Sequence, residues 1–202
     1  ARWMAREIAT FDRKHPEQAP GQWLCVAPKA IADKMQACIE AAGIGDRLAI
    51  LTHGRAKGTN AFERCTGVFV MPPLPMGKTV SAADARNVFG IDCELDPDIR
   101  TGALSHNVDV AQQMANGGEF LIPCSVFKDN DLQRLRDDAV TAYVEQAMGR
   151  IRAGSATVDN RKVIYVIGPT PKPLSVPVDR IVTGQEVLAE GGSLTGIAEA
   201  EG

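Results

Sequence analysis

The sequence predicts an α/β fold, a parallel sheet flanked by helices, with a mainly helical insertion after the third strand. Three observations predict it. Short continuous apolar runs, Trp23-Leu-Cys-Val-Ala27 and Leu48-Ala-Ile-Leu51, are bounded by breakers and read as strands buried on both faces. Between them Ile31, Met35, Cys38, Ile39 and Ala42 recur at helical spacing, closed by Gly43 and Gly45, so the order is strand, helix, strand. Near the far end the longest helical pattern, residues 129–149, runs toward another strand-like run, Lys162-Val-Ile-Tyr-Val-Ile167.

The elements follow in order. Trp3, Met4, Ile8 and Phe11 predict a short amphipathic helix, and His15-Pro16 to Pro20-Gly21 forms a breaker cluster behind it. Residues 1–21 are expected as an N-terminal helix and linker. Residues 22–190 are expected as the main domain, with the insertion at about 72–130. Val68-Phe-Val-Met71 predicts the third strand. Within the insertion, Thr79 or Ser81 would cap a helix over 82–89. A second helix is expected over 108–115, and Phe120-Leu-Ile-Pro123 reads as a short extended piece. In the long helix Leu132, Leu135, Val140, Tyr143, Val144 and Ala147 fall near one face. Ile181-Val182 would add a short strand or docking segment, and Thr183 would cap a helix over 185–188. The Gly-, Ala- and Glu-rich tail, 191–202, is expected to be disordered.

Composition narrows the function classes. A chain of 202 residues with 45% apolar and 23% charged residues is an ordinary globular domain. A net charge of −3 gives no global basic field, so a nucleic-acid surface would have to be local. The five cysteines are odd in number and form no C-x-x-C pair, which favours reduced thiols in a cytoplasmic protein over a disulfide frame or a zinc site. No metal site is expected within this chain. No apolar run is long enough to span a bilayer, so no membrane partner is expected. The chain opens in mid-pattern at Ala1, and we read it as part of a longer protein.

Two stretches carry chemistry. Gln146-Ala-Met-Gly149-Arg150-Ile-Arg152 closes the long helix. Gln146 and Arg150 are four apart and share a helix face, Gly149 leaves room for close backbone approach, and a guanidinium offers a fork of donors suited to phosphate. The competing reading is a helix end whose basic residues complement its own dipole. Upstream, Leu51-Thr-His53-Gly54-Arg55-Ala-Lys57-Gly58-Thr59-Asn60-Ala-Phe62-Glu63 places cations on a backbone that can approach a nucleic-acid strand. Here the alternatives are a solvated basic loop, with His53 as an imidazole satisfying backbone groups. Gly77-Lys78-Thr79 is not a P-loop, because Pro72 stands at the first glycine position and the prolines remove the amides that cradle phosphate. Asp92, Glu94, Asp96 and Asp98 read as a solvated loop.

In order and spacing, the two stretches resemble motifs V and VI of the second RecA-like domain of superfamily-two DNA helicases of phages, plasmids and mobile elements. The likeness covers about residues 22–70 and 130–168. It implies a RecA-like fold and a C-terminal motor domain working with an N-terminal RecA-like domain of the same protein. It also implies nucleic acid, with DNA as the expected partner, and ATP and Mg2+ held mainly by that first domain. The resemblance makes Arg150 the arginine finger, with Arg152 as the alternative and Gln146 as its partner. Gly149, Gly58 and Asn60 would face the nucleotide, and Thr59, Arg55, Lys57 and His53 the nucleic acid. The chain departs from the pattern at two places. Arg152 comes one residue early, and reaches the same site only if the helix stops near Arg150. Asn60 stands where many relatives carry Asp. With neither a P-loop nor an acidic box, the chain alone is expected not to hydrolyse ATP. A non-catalytic RecA-like scaffold in a replication or mobile-element complex is the alternative. A Rossmann-type transferase is disfavoured, since no Gly-rich loop follows the first strand.

Overall fold

The computed structural model describes residues 1–53, 55, 60–71, 87, 88, 90, 105–167 and 178–182. Strands β1 (Trp23–Ala27), β2 (Leu48–Thr52), β3 (Gly67–Val70) and β6 (Val163–Val166) form a parallel sheet in the order β2-β1-β3-β6. Strands β4 (Ser105–Gln113) and β5 (Glu119–Phe127) form a separate antiparallel hairpin. The helices are α1 (Arg2–Lys14), α2 (Lys29–Ala41) and α3 (Asn130–Arg150). An α/β fold with a parallel sheet is therefore present. Lys57, Gly58, Thr59, the stretch 72–79, most of the helix expected over 82–89, the acidic run 92–98, the helix over 185–188 and the tail 191–202 lie outside the described residues.

Helices cover both faces of the sheet, which is why its strands are apolar without alternation. On one face Met4, Ile8 and Phe11 of α1 and Ala32 and Ile39 of α2 pack against Trp23, Cys25, Leu48 and Phe69. On the other, Val140, Val144 and Ala147 of α3, with Ile151, pack against Leu24, Val26, Val68 and Val70. Gly67 is required by the first face: a Cβ there would fall inside the Trp23 ring. Helix α2 ends in a Schellman motif with Gly43 in the left-handed region (φ 69°). Ile44 N–H donates to the Ile39 carbonyl and Gly43 N–H to that of Glu40.

One expectation is overturned. The helix expected over 108–115 is strand β4, joined to β5 over nine residue pairs. Val108 and Val110 alternate with the exposed Asp109, a two-residue period that suits a strand. Gly117 (φ 85°) supplies the turn. The extended piece expected near 120–123 is part of β5. The hairpin is tied to α3: Phe127 N–H donates to Gln133 Oε1 at 2.7 Å, and the Arg136 guanidinium lies 4.9 Å from the Phe127 ring centre. On the outer side of β4, Val178 bonds to Gln113 and Ala115 through its backbone, so chain pairing falls there and not at Ile181-Val182.

Candidate functional site

Helix α3 carries the candidate arginines from one edge of the sheet to the other. Its start is fixed by Asp129, whose Oδ1 accepts from Leu132 N–H at 2.8 Å. Seven residues before its end, Tyr143 lies against the His53 ring, with centroids 4.5 Å apart, just beyond the carboxyl end of β2. Its last turn reaches the amino edge, where Cys65 and Ile151 share one apolar cluster. The helix stops at Arg150, as the second arginine requires. Ile151 is fully buried, and Arg152 follows with φ 51° and ψ 49°, the left-handed region. Arg152 N–H donates to the Gly149 carbonyl, and the Arg152 carbonyl accepts from Ser155 through both N–H and Oγ.

Arg152 pairs with Glu63. Its Nε lies 2.8 Å from Glu63 Oε2, and its side chain stays 59% exposed. Glu63 belongs to the turn 60–66, which leads from the Gly-rich stretch into β3. That turn is braced from below. Lys162 Nζ donates to the Cys65 carbonyl at 2.7 Å and to the Glu63 carbonyl at 3.4 Å, and Glu63 N–H donates to the Asn60 carbonyl. Burial lowers the Lys162 pKa and raises that of the Cys65 thiol; each charge partly offsets the shift of the other. Gln18 grips the Arg161 backbone from both sides, accepting from its N–H and donating to its carbonyl, which fixes the entry to β6.

The remaining expected residues fall as follows. Gln146 and Arg150 are both half-buried on α3, and the Arg150 Nε is enclosed. Around Gly149 the space is open: a Cβ there would meet nothing within 4 Å among the described residues. Asn60 and Arg55 are exposed. His53 is buried, and its Nε2–H donates to the Met71 carbonyl at 2.9 Å, while Nδ1 is enclosed with no hydrogen-bond partner. Burial holds its pKa below the usual imidazole value, against the opposing effect of the Met71 bond. His53, expected to face the nucleic acid, thus has the backbone-satisfying place that was its alternative reading. The carboxyl edge thus holds His53, and the amino edge holds Arg152 and Glu63; the structure does not gather them into one pocket.

Glu63 and Lys162 are the residues that sequence reasoning left without a role. The signal for Glu63 was its position, an acid closing a stretch of cations. Among the described residues no group of three or more His, Cys, Asp or Glu is placed to hold a metal ion, and no helix is long and apolar enough to cross a membrane. Comparison with family models, curated proteins and solved structures finds no match.

Proposed function

We propose that the chain is the second RecA-like domain of an ATP-dependent nucleic-acid helicase or translocase, lending an arginine to a nucleotide held by the first RecA-like domain. The observation that carries this reading is the Arg152–Glu63 contact, because it joins the end of the Gln146–Arg152 stretch to the turn following the Gly-rich stretch. Two sequence features separated by most of the domain therefore meet at one edge. A parallel α/β sheet binds its own ligand at the carboxyl ends of its strands. An arginine at the amino edge instead suits a ligand belonging to a neighbour. Local charge agrees: in the segments 60–66 and 150–162, Arg64, Arg150, Arg152, Arg161 and Lys162 outnumber Glu63 and Asp159, within a chain of net charge −3.

In this reading ATP and Mg2+ sit mainly on the first domain, and the Mg2+–triphosphate supplies the electrophilic phosphorus. This chain contributes fixed positive charge where negative charge grows in the transition state, worth about 10³ to 10⁵ in rate in the best-studied NTPases. Arg150→Ala and Arg152→Ala, each made in the protein carrying both domains, test it. Nucleic-acid-stimulated ATP hydrolysis should fall by at least about 100-fold in one of them, with nucleic-acid binding kept. Unchanged turnover in both would favour the second reading, a non-catalytic RecA-like interaction domain. That reading is favoured by the hairpin, which has no Lys or Arg over 105–127 and exposes Phe120 and Leu121. Such a surface suits protein contact better than a phosphate backbone.

A further inference from the structure

We infer that Glu63 is a positioning residue: it grips Arg152 side-on through Nε and so presents the terminal nitrogens of the guanidinium to a polyphosphate. The inference rests on the motor reading and assigns the anion-facing role to Arg152, with Arg150 as its support.

Three observations converge. The first is the mode of pairing. A carboxylate usually takes an arginine with two parallel bonds. Here the closest approach is from Nε to Oε2, at 2.8 Å, and the terminal nitrogens Nη1 and Nη2 sit on a side chain that is 59% exposed. Those two nitrogens can accept a phosphate end-on while Glu63 keeps its hold. The second is the backbone. Arg152 occupies the left-handed region, which glycine fills elsewhere in this chain at Gly43. A side chain retained at such a position points to a function for that side chain. Arg152 is the only non-glycine residue with positive φ among those described. The third is the mounting. Glu63 stands on a turn whose carbonyls are held by Lys162 Nζ, and Arg152 follows the fully buried Ile151. Carboxylate and guanidinium are thus carried on braced backbone, the condition for a preorganised charge. Arg150, half-buried with its Nε enclosed, offers less of its fork to an outside ligand.

The variants Glu63→Gln, Glu63→Asp, Arg152→Ala and Glu63→Gln/Arg152→Ala, made in the protein carrying both RecA-like domains, decide the matter. ATP turnover is measured with nucleic acid present, and folding is checked by the amide NMR spectrum. Glu63→Gln should lower kcat about 10-fold with KM changed less than about 2-fold, Glu63→Asp should restore part of the loss, and the double variant should be no slower than Arg152→Ala. In the chain alone, the Arg152 Nε–H resonance should be protected from exchange in the wild type and lose that protection in Glu63→Ala, which removes the acceptor. Losses that multiply in the double variant would overturn the proposal. So would unchanged turnover in Glu63→Gln while Arg152→Ala is slow, a result that leaves the motor reading standing. If neither Arg150→Ala nor Arg152→Ala slows hydrolysis, the motor reading fails and the proposal falls with it. An Nε–H that exchanges equally fast in wild type and Glu63→Ala overturns the grip itself, whatever the activity.

Discussion

Replacing Arg152 with glycine should give a more stable protein than replacing it with alanine. Arg152 has φ 51° and ψ 49°, where an L-residue's Cβ crowds the following carbonyl at a cost of about 1–2 kcal/mol. Both variants lose the ion pair to Glu63. With side chains 59% and 39% exposed, that pair is worth about 0–1 kcal/mol after solvent screening, and the loss cancels in the comparison. Only glycine escapes the crowding, while its greater freedom in the unfolded chain gives back about 0.5–1 kcal/mol. The net difference is about 0.5–1 kcal/mol in favour of Arg152→Gly. For a domain of this size that is about 1–4 °C in Tm. Urea unfolding of both variants, with equal m-values, measures it directly. Alanine equal to or better than glycine would refute the argument that strain is stored at this residue.

Three further outcomes follow from the packing. Gly67→Ala should destabilise by about 1–3 kcal/mol, since the added Cβ meets the fully buried Trp23 ring; chemical denaturation followed by Trp fluorescence reads both the loss and the ring's displacement. Tyr165→Phe should cost about 1–3 kcal/mol in thermal or urea unfolding, because Tyr165 Oη donates at 3.0 Å to Glu7 Oε2 and Glu7 is only 8% exposed. Burial, and then the Glu7 carboxylate, also raise the Tyr165 pKa above the usual phenol value, so absorbance titration should find one tyrosine that ionises late. His53 is held neutral by burial, with a pKa below its unfolded value of about 6.5. Its contribution to stability is therefore complete above that value and is lost as pH falls through the lower folded value. His53→Gln should flatten the fall in urea midpoint as pH drops below about 6.5, relative to wild type.

The sheet was legible because burial on both faces leaves a strong trace. Trp23 to Ala27 and Val68 to Val70 are unbroken apolar runs, and both are wholly buried. Helix α1 was legible from Trp3, Met4, Ile8 and Phe11, three of which are buried in one cluster. The hairpin was not, because its alternation is weak. Val108 and Val110 share the strand with Asn107, Gln112 and Gln113, and small polar residues fit helix or strand about equally. The turn signal Asn116-Gly117-Gly118 was the better guide. At the candidate site the arginines were readable from spacing. Their companions were not, since Lys162 and Cys65 meet across 97 positions of sequence. No local pattern announces a lysine bonded to distant carbonyls, or an acid that pairs with a distant arginine. Nor does spacing show that the histidine, readable as a surface group, lies under a tyrosine.

Helix α3 gives the stretch between Thr52 and Gly67 a mechanical character that neither motif has alone. The helix has 21 residues, about 31 Å at 1.5 Å per residue. Tyr143, in its second half, meets His53, and Arg152, just past its end, meets Glu63. The two contacts differ in kind. His53 is enclosed, neutral and bonded to the backbone of the β3 exit, so opening it exposes apolar surface and breaks a buried hydrogen bond. The Glu63–Arg152 pair is exposed and screened, worth about 0–1 kcal/mol, though both residues stand on braced backbone. Of the two contacts, an anion at the amino edge would compete with the exposed pair before it could disturb the buried one.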